Sequence, residues 1–585
     1  MLLREANAAA STGPSRLSDP RRALSLMRHC APRLPAAQLA DRLAGWCQFL
    51  GGLLRAPRQQ WCRDAACRTA ACLLAEEARL EEAHRLLAGG ALAQIVTPLL
   101  ESPDQATLAS LHCLRVVLLH FGRGCGAQRS QLTQYLLQLF DGEKPAVAWA
   151  ACRCVALLPH TGPSGGGGAA YAAAWAGQMR GLLRAAHEHL DRLLDGVVEV
   201  RAYEVPERGE HELELPAVSA DGAADPIRLR YRLARRVAAV CRVAALMLCS
   251  ASKQPVTVPA TALLELAQRC VSAGAAPVSA AMELQAARRA FWDVRAAALR
   301  MLEALIGCCG VSLVQRATAL NGLLVSALQA PAAPRPSPAA EAAHRQALRT
   351  VRAWLTAAGA GCGLQDQAEK LITMLSEDTN PAATNGVTTN PSKKKRRGAG
   401  EWLEADLSAR QSAPVARRPG RCLAALEVLC QLATALGPLL TVSAHRAAQQ
   451  LCVGLLLEVQ RATGAPPQPY DRPACRAGLY RLLRALVADP HPAWPAPVQF
   501  AVGLFAHGAR DEDSTVSMLC QDSPGALLSE SSSSADGRRS VELAEMEEDQ
   551  KSIVLGGSED GEEESRPTAR RPAPDESDEV EILET

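Results

Sequence analysis

Residues 92–121 read LAQIVTPLLESPDQATLASLHCLRVVLLHF, and this stretch decides the fold. Leu92, Ile95, Val96, Leu99 and Leu100 recur three and four apart, the spacing that lines one face of an α-helix. Ser102-Pro103-Asp104 stops the run, because proline lacks an amide donor and the polar pair favours a turn. Leu108, Leu111, Cys113, Leu114, Val117, Leu118 and Phe121 open a second helix, which Gly122 and Gly124 close. No period-two alternation intervenes, so one helix turns directly into the next.

The same grammar extends in both directions. Trp61, Ala65, Arg68, Cys72 and Leu73 share a face before Gly89-Gly90, and Leu132, Leu136, Leu137 and Phe140 share another before Asp141-Gly142. Helical patterns recur over 171–198, 227–248, 256–270, 284–306 and 313–328, and a further helix carries Trp354 and ends near Leu375. Beyond a break, residues 422–436, 444–459 and 476–487 repeat the pattern. Short turns between helices of ordinary length predict an all-α fold, a HEAT/armadillo-like α-solenoid in two helical blocks, although no fixed-length repeat is legible. Composition agrees. The chain is 48% hydrophobic but only 3% aromatic, so its apolar content is mostly Ala, Leu and Val, which suits helix packed on helix and not sheet.

The boundaries follow from composition shifts. Residues 1–20 read as a disordered N-terminus, 21–375 as the first helical block, 376–420 as a disordered linker, 421–520 as the second block and 521–585 as a disordered acidic tail. Glu204 to Pro226 reads as an acidic surface loop. Net charge is +2, yet residues 530–585 carry 18 acids against 6 bases, which leaves +14 on the rest. A basic body with an acidic tail points to a charged partner or to self-screening.

Catalytic and metal chemistry find no foothold. Phosphate-loop, His-Glu-x-x-His and Gly-x-Ser-x-Gly patterns are absent, and the reading is of a non-enzyme without cofactor or metal. The twenty cysteines include no Cys-x-x-Cys and sit in apolar periodic stretches, where a thiol acts as a small core residue. His187-Glu188-His189 is the best metal-like cluster, but residues two apart do not share a helix face, so it reads as a solvated surface. No run of about 18 uninterrupted apolar residues appears, so no membrane span is expected.

Three kinds of short motif remain. Lysine is rare here, with seven in the chain, and Lys393, Lys394 and Lys395 stand together before Arg396 and Arg397. A basic run in an accessible polar segment is what a nuclear import receptor grips. In the tail, Ile553-Val554-Leu555 and Val580, Ile582 and Leu583 are short aliphatic runs beside acids, suited to adding a strand to the sheet edge of a small modifier such as SUMO. Leu-x-x-Leu-Leu begins at Leu50, Leu190, Leu320, Leu436 and Leu479. The last, with Leu482 and Leu483, is the candidate docking box, though core packing explains the same spacing.

The second block carries a resemblance. Residues 421–429 (RCLAALEVL), 436–440 (LGPLL), Ala444-His445-Arg446, 470–476 (YDRPACR) with Leu479-Tyr480-Arg481-Leu482-Leu483, and the 510–517 run are similar to the proline-, glutamate- and leucine-rich proteins of the Rix family. So are residues 240–250 (VCRVAALMLCS) and 255–259 (PVTVP) in the first block. The resemblance covers about residues 25 to 520, with the basic linker in the same place. The chain departs from the family after the second block, where 65 residues replace a long proline-rich and glutamate-rich extension. The resemblance implies a scaffold in a nuclear complex, nucleolar and nucleoplasmic, that processes the internal spacer of pre-ribosomal RNA and matures the large (60S) subunit. Implied partners are a WD-repeat protein, a second helical-repeat protein, a midasin-type AAA+ ATPase, an endonuclease–kinase pair, a SUMO protease or SUMO-modified proteins, and the pre-ribosome; a homodimer is left open. The alternative it implies is a transcriptional coregulator that binds nuclear receptors through Leu-x-x-Leu-Leu motifs.

Overall fold

The computed structural model describes residues 20–522, apart from 56–59, 78–86, 143, 163–166, 196–198, 200–202, 204–207, 210–211, 219–224, 251–253, 274–287, 330–336, 381–418 and 463. The import candidate Lys393–Arg397 and the tail motifs at 553–555 and 580–583 lie outside these residues. Among the described residues the regular elements are helices. In chain order they are α1 Pro20–Cys30, α2 Ala36–Arg55, α3 Gln60–Glu77, α4 Leu92–Leu100, α5 Leu108–Phe121, α6 Arg129–Gln138, α7 Pro145–Val155, α8 Gly167–Leu193 and α9 Pro226–Cys249. There follow α10 Ala260–Ala273, α11 Arg288–Cys309, α12 Ala317–Leu328, α13 Pro338–Ala358, α14 Ala368–Thr379, α15 Pro419–Leu436, α16 Val442–Arg461, α17 Pro473–Ala488 and α18 Val498–Gly508.

The helix starts are written in the sequence. Thr107 and Ser110 form a reciprocal capping box at α5, with Ser110 N donating to Thr107 Oγ1 at 3.2 Å and Thr107 N to Ser110 Oγ at 2.9 Å. Asp225 caps α9, accepting from the amides of Ile227 and Arg228, and Ser337 and Thr441 cap α13 and α16. Proline occupies the first turn of α7, α9, α13 and α17, where its missing amide costs nothing. Gly359, at φ +51°, ends α13 in a conformation that a side chain would strain.

Packing sorts these helices into two layers. The odd-numbered helices lie side by side in an unbroken row from α1 to α17, and the even-numbered helices back them. The chain therefore alternates between layers, which makes it an α-solenoid of the HEAT/armadillo kind. Small residues make the close approaches. In α9, Ala234, Ala238, Ala239, Ala244 and Ala245 are buried among Leu233, Val237, Val240 and Met247. Trp354 of α13 is fully buried, and its indole NH donates to Asn321 Oδ1 at 3.0 Å and Cys362 O at 3.3 Å. Two stretches, Arg289–Leu328 and Pro419–Leu439, are long and apolar enough to cross a membrane by composition. The first covers α11 and α12, which are separate helices, and half of each stretch's most apolar window is buried in the layers.

Gly51 shows why a weak helix former sits mid-helix in α2. A β-carbon there would strike the carbonyl of Gln94 on α4, so the glycine sets how closely the two helices approach. Gly51→Ala is expected to cost about 1–3 kcal/mol through overpacking, read as a fall in the urea midpoint. The 204–226 segment departs from its reading as a surface loop. Within its described part, Leu213 and Val218 are buried, Glu212 pairs with Arg184 of α8, and Arg236 of α9 donates to Pro216 O at 2.5 Å. Two aliphatic side chains and a paired acid draw this polar stretch into the groove between α8 and α9.

The helices on either side of residues 381–418 pack directly together, α13 and α14 against α15, and α14 against α16. Asp378 accepts from His344 Nε2 at 2.8 Å and pairs with Arg421 of α15. Tyr470, fully buried, donates its hydroxyl to Thr379 O at 2.6 Å. Arg352 pairs with Glu427, and Glu369 accepts from Thr441 and Ser443. The described residues fall within one compact unit.

Candidate interaction face

Every leucine of the five Leu-x-x-Leu-Leu motifs is buried except Leu439. Leu479, Leu482 and Leu483 each expose 0% and pack in the core of α17. A receptor groove needs such leucines on the surface, so core packing accounts for the spacing. The cysteines are free thiols, most of them buried. Burial pushes Cys67 and Cys154 up to about 12 even though arginines lie nearby, which leaves them protonated and unreactive. Among the described residues no group of side chains is arranged to hold a metal.

The histidine cluster is not the solvated surface its polarity suggests. His187 and His189 are both buried, while Glu188 between them is exposed. His187 Nδ1 lies 3.2 Å from the guanidinium of buried Arg269, which also donates to His187 O, pairs with Asp191 at 2.5 Å and with Glu199 through bonds of 2.9 and 2.6 Å, and stands over Tyr203. Burial, then the Arg269 charge, lowers the His187 pKa below its usual value, with Asp191 and Glu199 opposing. Burial also lowers His160 and His445. A histidine with a depressed folded pKa contributes stability above the unfolded value, about 6.5, that is lost as pH falls. The urea midpoint is expected to drop between pH 7.5 and 5.5, and His187→Gln to lessen the drop. An unchanged pH dependence in that variant would remove His187 from the account.

The structure sorts the arginines in a way the sequence reading missed. Helices of the odd layer carry 24 arginines against 7 acids. Helices of the even layer carry 10 bases against 8 acids. Some odd-layer arginines turn inward and satisfy carbonyls at the C-termini of even helices, where the helix dipole favours a cation. Arg63 donates to Leu54 O and Pro98 O at the ends of α2 and α4, Arg230 to Leu193 O at the end of α8, and Arg295 to Ser326 O and Ala327 O at the end of α12. Burial lowers Arg295 to about 10, still well above neutrality.

Others are exposed or half-buried, among them Arg115, Arg153, Arg242, Arg289, Arg349 and Arg484, while Arg236 and Arg476 are buried and bond Pro216 O and Asp511. Arg115 of α5 and Arg153 of α7 both act on the Cys154 thiol. The guanidiniums of Arg153 and Arg242 of α9 each stand 5.6 Å from the ring centre of half-buried Trp149. Burial raises the Asp293 carboxyl of α11, against the opposing charges of Arg242, Arg289 and Arg235. Farther along, burial raises the Cys430 thiol of α15 against the charges of Arg484 and Arg481 of α17. The outcome is a basic face running along the odd layer, backed by a nearly neutral layer. The signal was present in the sequence, where 227–248 and 476–487 hold arginines and no acids while 313–328 holds a single arginine at its N-terminal edge. What was missing was which helices share a layer.

The fold and this face can be set against known proteins. No family model matches the chain. It is 26% identical over 531 residues to proline-, glutamic acid- and leucine-rich protein 1 of Xenopus laevis, across 88% of this chain and 51% of that protein. The chain resembles this proline-, glutamic acid- and leucine-rich protein. The Mus musculus protein of that name is 25% identical over 510 residues, 83% of this chain and 45% of its own length. The chain thus spans about half the length of the curated relatives it matches. Among solved structures, a chain of the Rix1 subcomplex in the Rix1-Rea1 pre-60S particle superposes with a TM-score of 0.45 at 12% identity, over 86% of this chain and 95% of that one. Importin beta superposes with a TM-score of 0.39 at 11% identity, over 90% of this chain and 57% of its own.

Proposed function

We propose that the chain is a non-enzymatic scaffold in the nucleus, assembling a complex that matures the large ribosomal subunit and acts in removal of the internal spacer of its RNA precursor. The observation that carries this reading is the similarity to the frog and mouse proline-, glutamic acid- and leucine-rich proteins over most of the chain, since their family implies that role. The helical layers supply long rigid surfaces for folded partners, among them a WD-repeat protein, a second helical-repeat protein and a midasin-type ATPase. Lys393–Arg397 serves as the import signal. Ile553–Leu555 and Val580, Ile582 and Leu583 recruit SUMO-linked factors and raise their effective concentration at the scaffold. The coregulator alternative loses its footing with Leu479, Leu482 and Leu483 inside the core.

Depletion of the protein tests the role. Precursors that retain the internal spacer should accumulate, read by hybridisation with a spacer probe, and the resupplied wild-type chain should restore processing. A chain with Lys393–Arg397 replaced by alanine should stay in the cytoplasm and fail to restore it. Normal spacer processing after depletion would overturn the proposal.

A further inference from the structure

The outward arginines of the odd layer are a large charge feature that scaffolding by protein contacts leaves unused. Arg115, Arg232, Arg242 and Arg289 form no ion pair among the described residues. They belong to α5, α9 and α11, and Arg349 and Arg484, both exposed, continue the row on α13 and α17. Adjacent packed helices stand about 8–10 Å apart, so the row presents cations on α5, α9, α11, α13 and α17, with a gap at α15, whose single arginine, Arg421, pairs with Asp378. The odd-layer helices hold no lysine, and the planar guanidinium bonds phosphate oxygens in pairs where an ammonium acts as a point charge.

Apolar anchors are scarce on this face. The large hydrophobic side chains that the odd layer exposes are Leu108, Leu119, Ile227 and Tyr231, and α11, α13, α15 and α17 expose none. Val311, Leu439, Val442, Val498, Phe500, Val502 and Met518 lie in turns, in the even layer or at the C-terminal end. A protein partner is held chiefly by buried aromatic and aliphatic anchors, whereas a polyanion is held by distributed charge and counterion release. We propose that the outward face of the odd layer binds the phosphate backbone of single-stranded RNA, with Arg115, Arg242, Arg289, Arg349 and Arg484 as phosphate contacts. Tyr231, exposed on α9 within the same row, offers a ring on which a base can stack. The recognition is of backbone charge, without base sequence.

The test uses the purified full chain and a fluorescein-labelled 20-nucleotide oligouridylate, with binding read by anisotropy from 50 to 200 mM NaCl. Affinity should fall steeply with salt. The variant R115Q/R242Q/R289Q/R349Q should bind at least tenfold more weakly and lose about 3 from the log–log salt slope, at roughly 0.7 per single-strand phosphate contact. Arg→Lys at the same four positions should keep the slope, which separates charge from any loss of folding. The even-layer variant R42Q/R129Q/R446Q/R461Q, with the same change in charge, should stay within twofold of the wild type. Equal weakening of the two glutamine variants would overturn the proposal, as would absence of binding by the wild type. Displacement of the RNA by polyglutamate at equal charge concentration would also overturn it and assign the face to an acidic protein. Because the assay involves no ribosomal component, its failure leaves the scaffold proposal standing, and failure of that proposal leaves this one standing.

Discussion

Replacing Asp378 with alanine should destabilise the helical body by about 3 kcal/mol and loosen the joint between α14 and α15 first. The Asp378 side chain is nearly fully buried and joins three helices, accepting from His344 of α13 and pairing with Arg421 of α15. Removing it leaves a guanidinium without its carboxylate and an imidazole without its acceptor. Breaking a buried pair costs about 3–5 kcal/mol, and the partial exposure of Arg421 places this one at the lower end. Asp378→Asn should cost less, because the amide oxygen still accepts. Hydrogen exchange should show the first loss of protection at the α14–α15 joint. The same joint implies that a chain cut at an engineered protease site within residues 381–418 elutes as one body in gel filtration, and that the Asp378→Ala chain so cut separates into two.

Replacing Arg63 with methionine should have an effect of similar size by a different route. Arg63 is buried, exposing 1%, and donates to the last-turn carbonyls of α2 and α4 at 3.1 and 3.3 Å and to Gln105 Oε1 at 3.2 Å. Methionine fills much of the volume but donates nothing. Two buried carbonyls and an amide oxygen then lose partners, at about 1–3 kcal/mol each before relaxation, so a net loss of about 3 kcal/mol is expected. Thermal unfolding of the first repeats should shift down while exchange protection in α15–α17 stays near wild type. Arg68, on the same helix but exposed, serves as the control: Arg68→Met should change little.

The helices were legible because their punctuation is local. Pro103, Gly122 and the Thr107–Ser110 cap act within a few residues, and the leucine spacing between them needs no tertiary information. The alternation into two layers was not legible, because it depends on which helix packs beside which across 30 or more residues. That gap hid the candidate face: the arginine excess was visible in the chain, but its confinement to every second helix was not. It also misplaced His187 and His189. A polar triplet reads as surface, yet the carboxylates of Asp191 and Glu199, gathered by Arg269, make a buried polar cluster tolerable there. The reading into two blocks was silent on how they meet, because Asp378, Arg421 and Tyr470 find one another only in the fold.

Affinity purification from nuclear extract, comparing the full chain with one ending at Asp522 and read by mass spectrometry, tests the central claim most directly. The scaffold account predicts that both chains recover large-subunit precursors and a WD-repeat partner, and that SUMO-linked proteins are lost from the shorter one. Recovery of receptors or chromatin factors by both chains, with no ribosome-assembly factors, would contradict it.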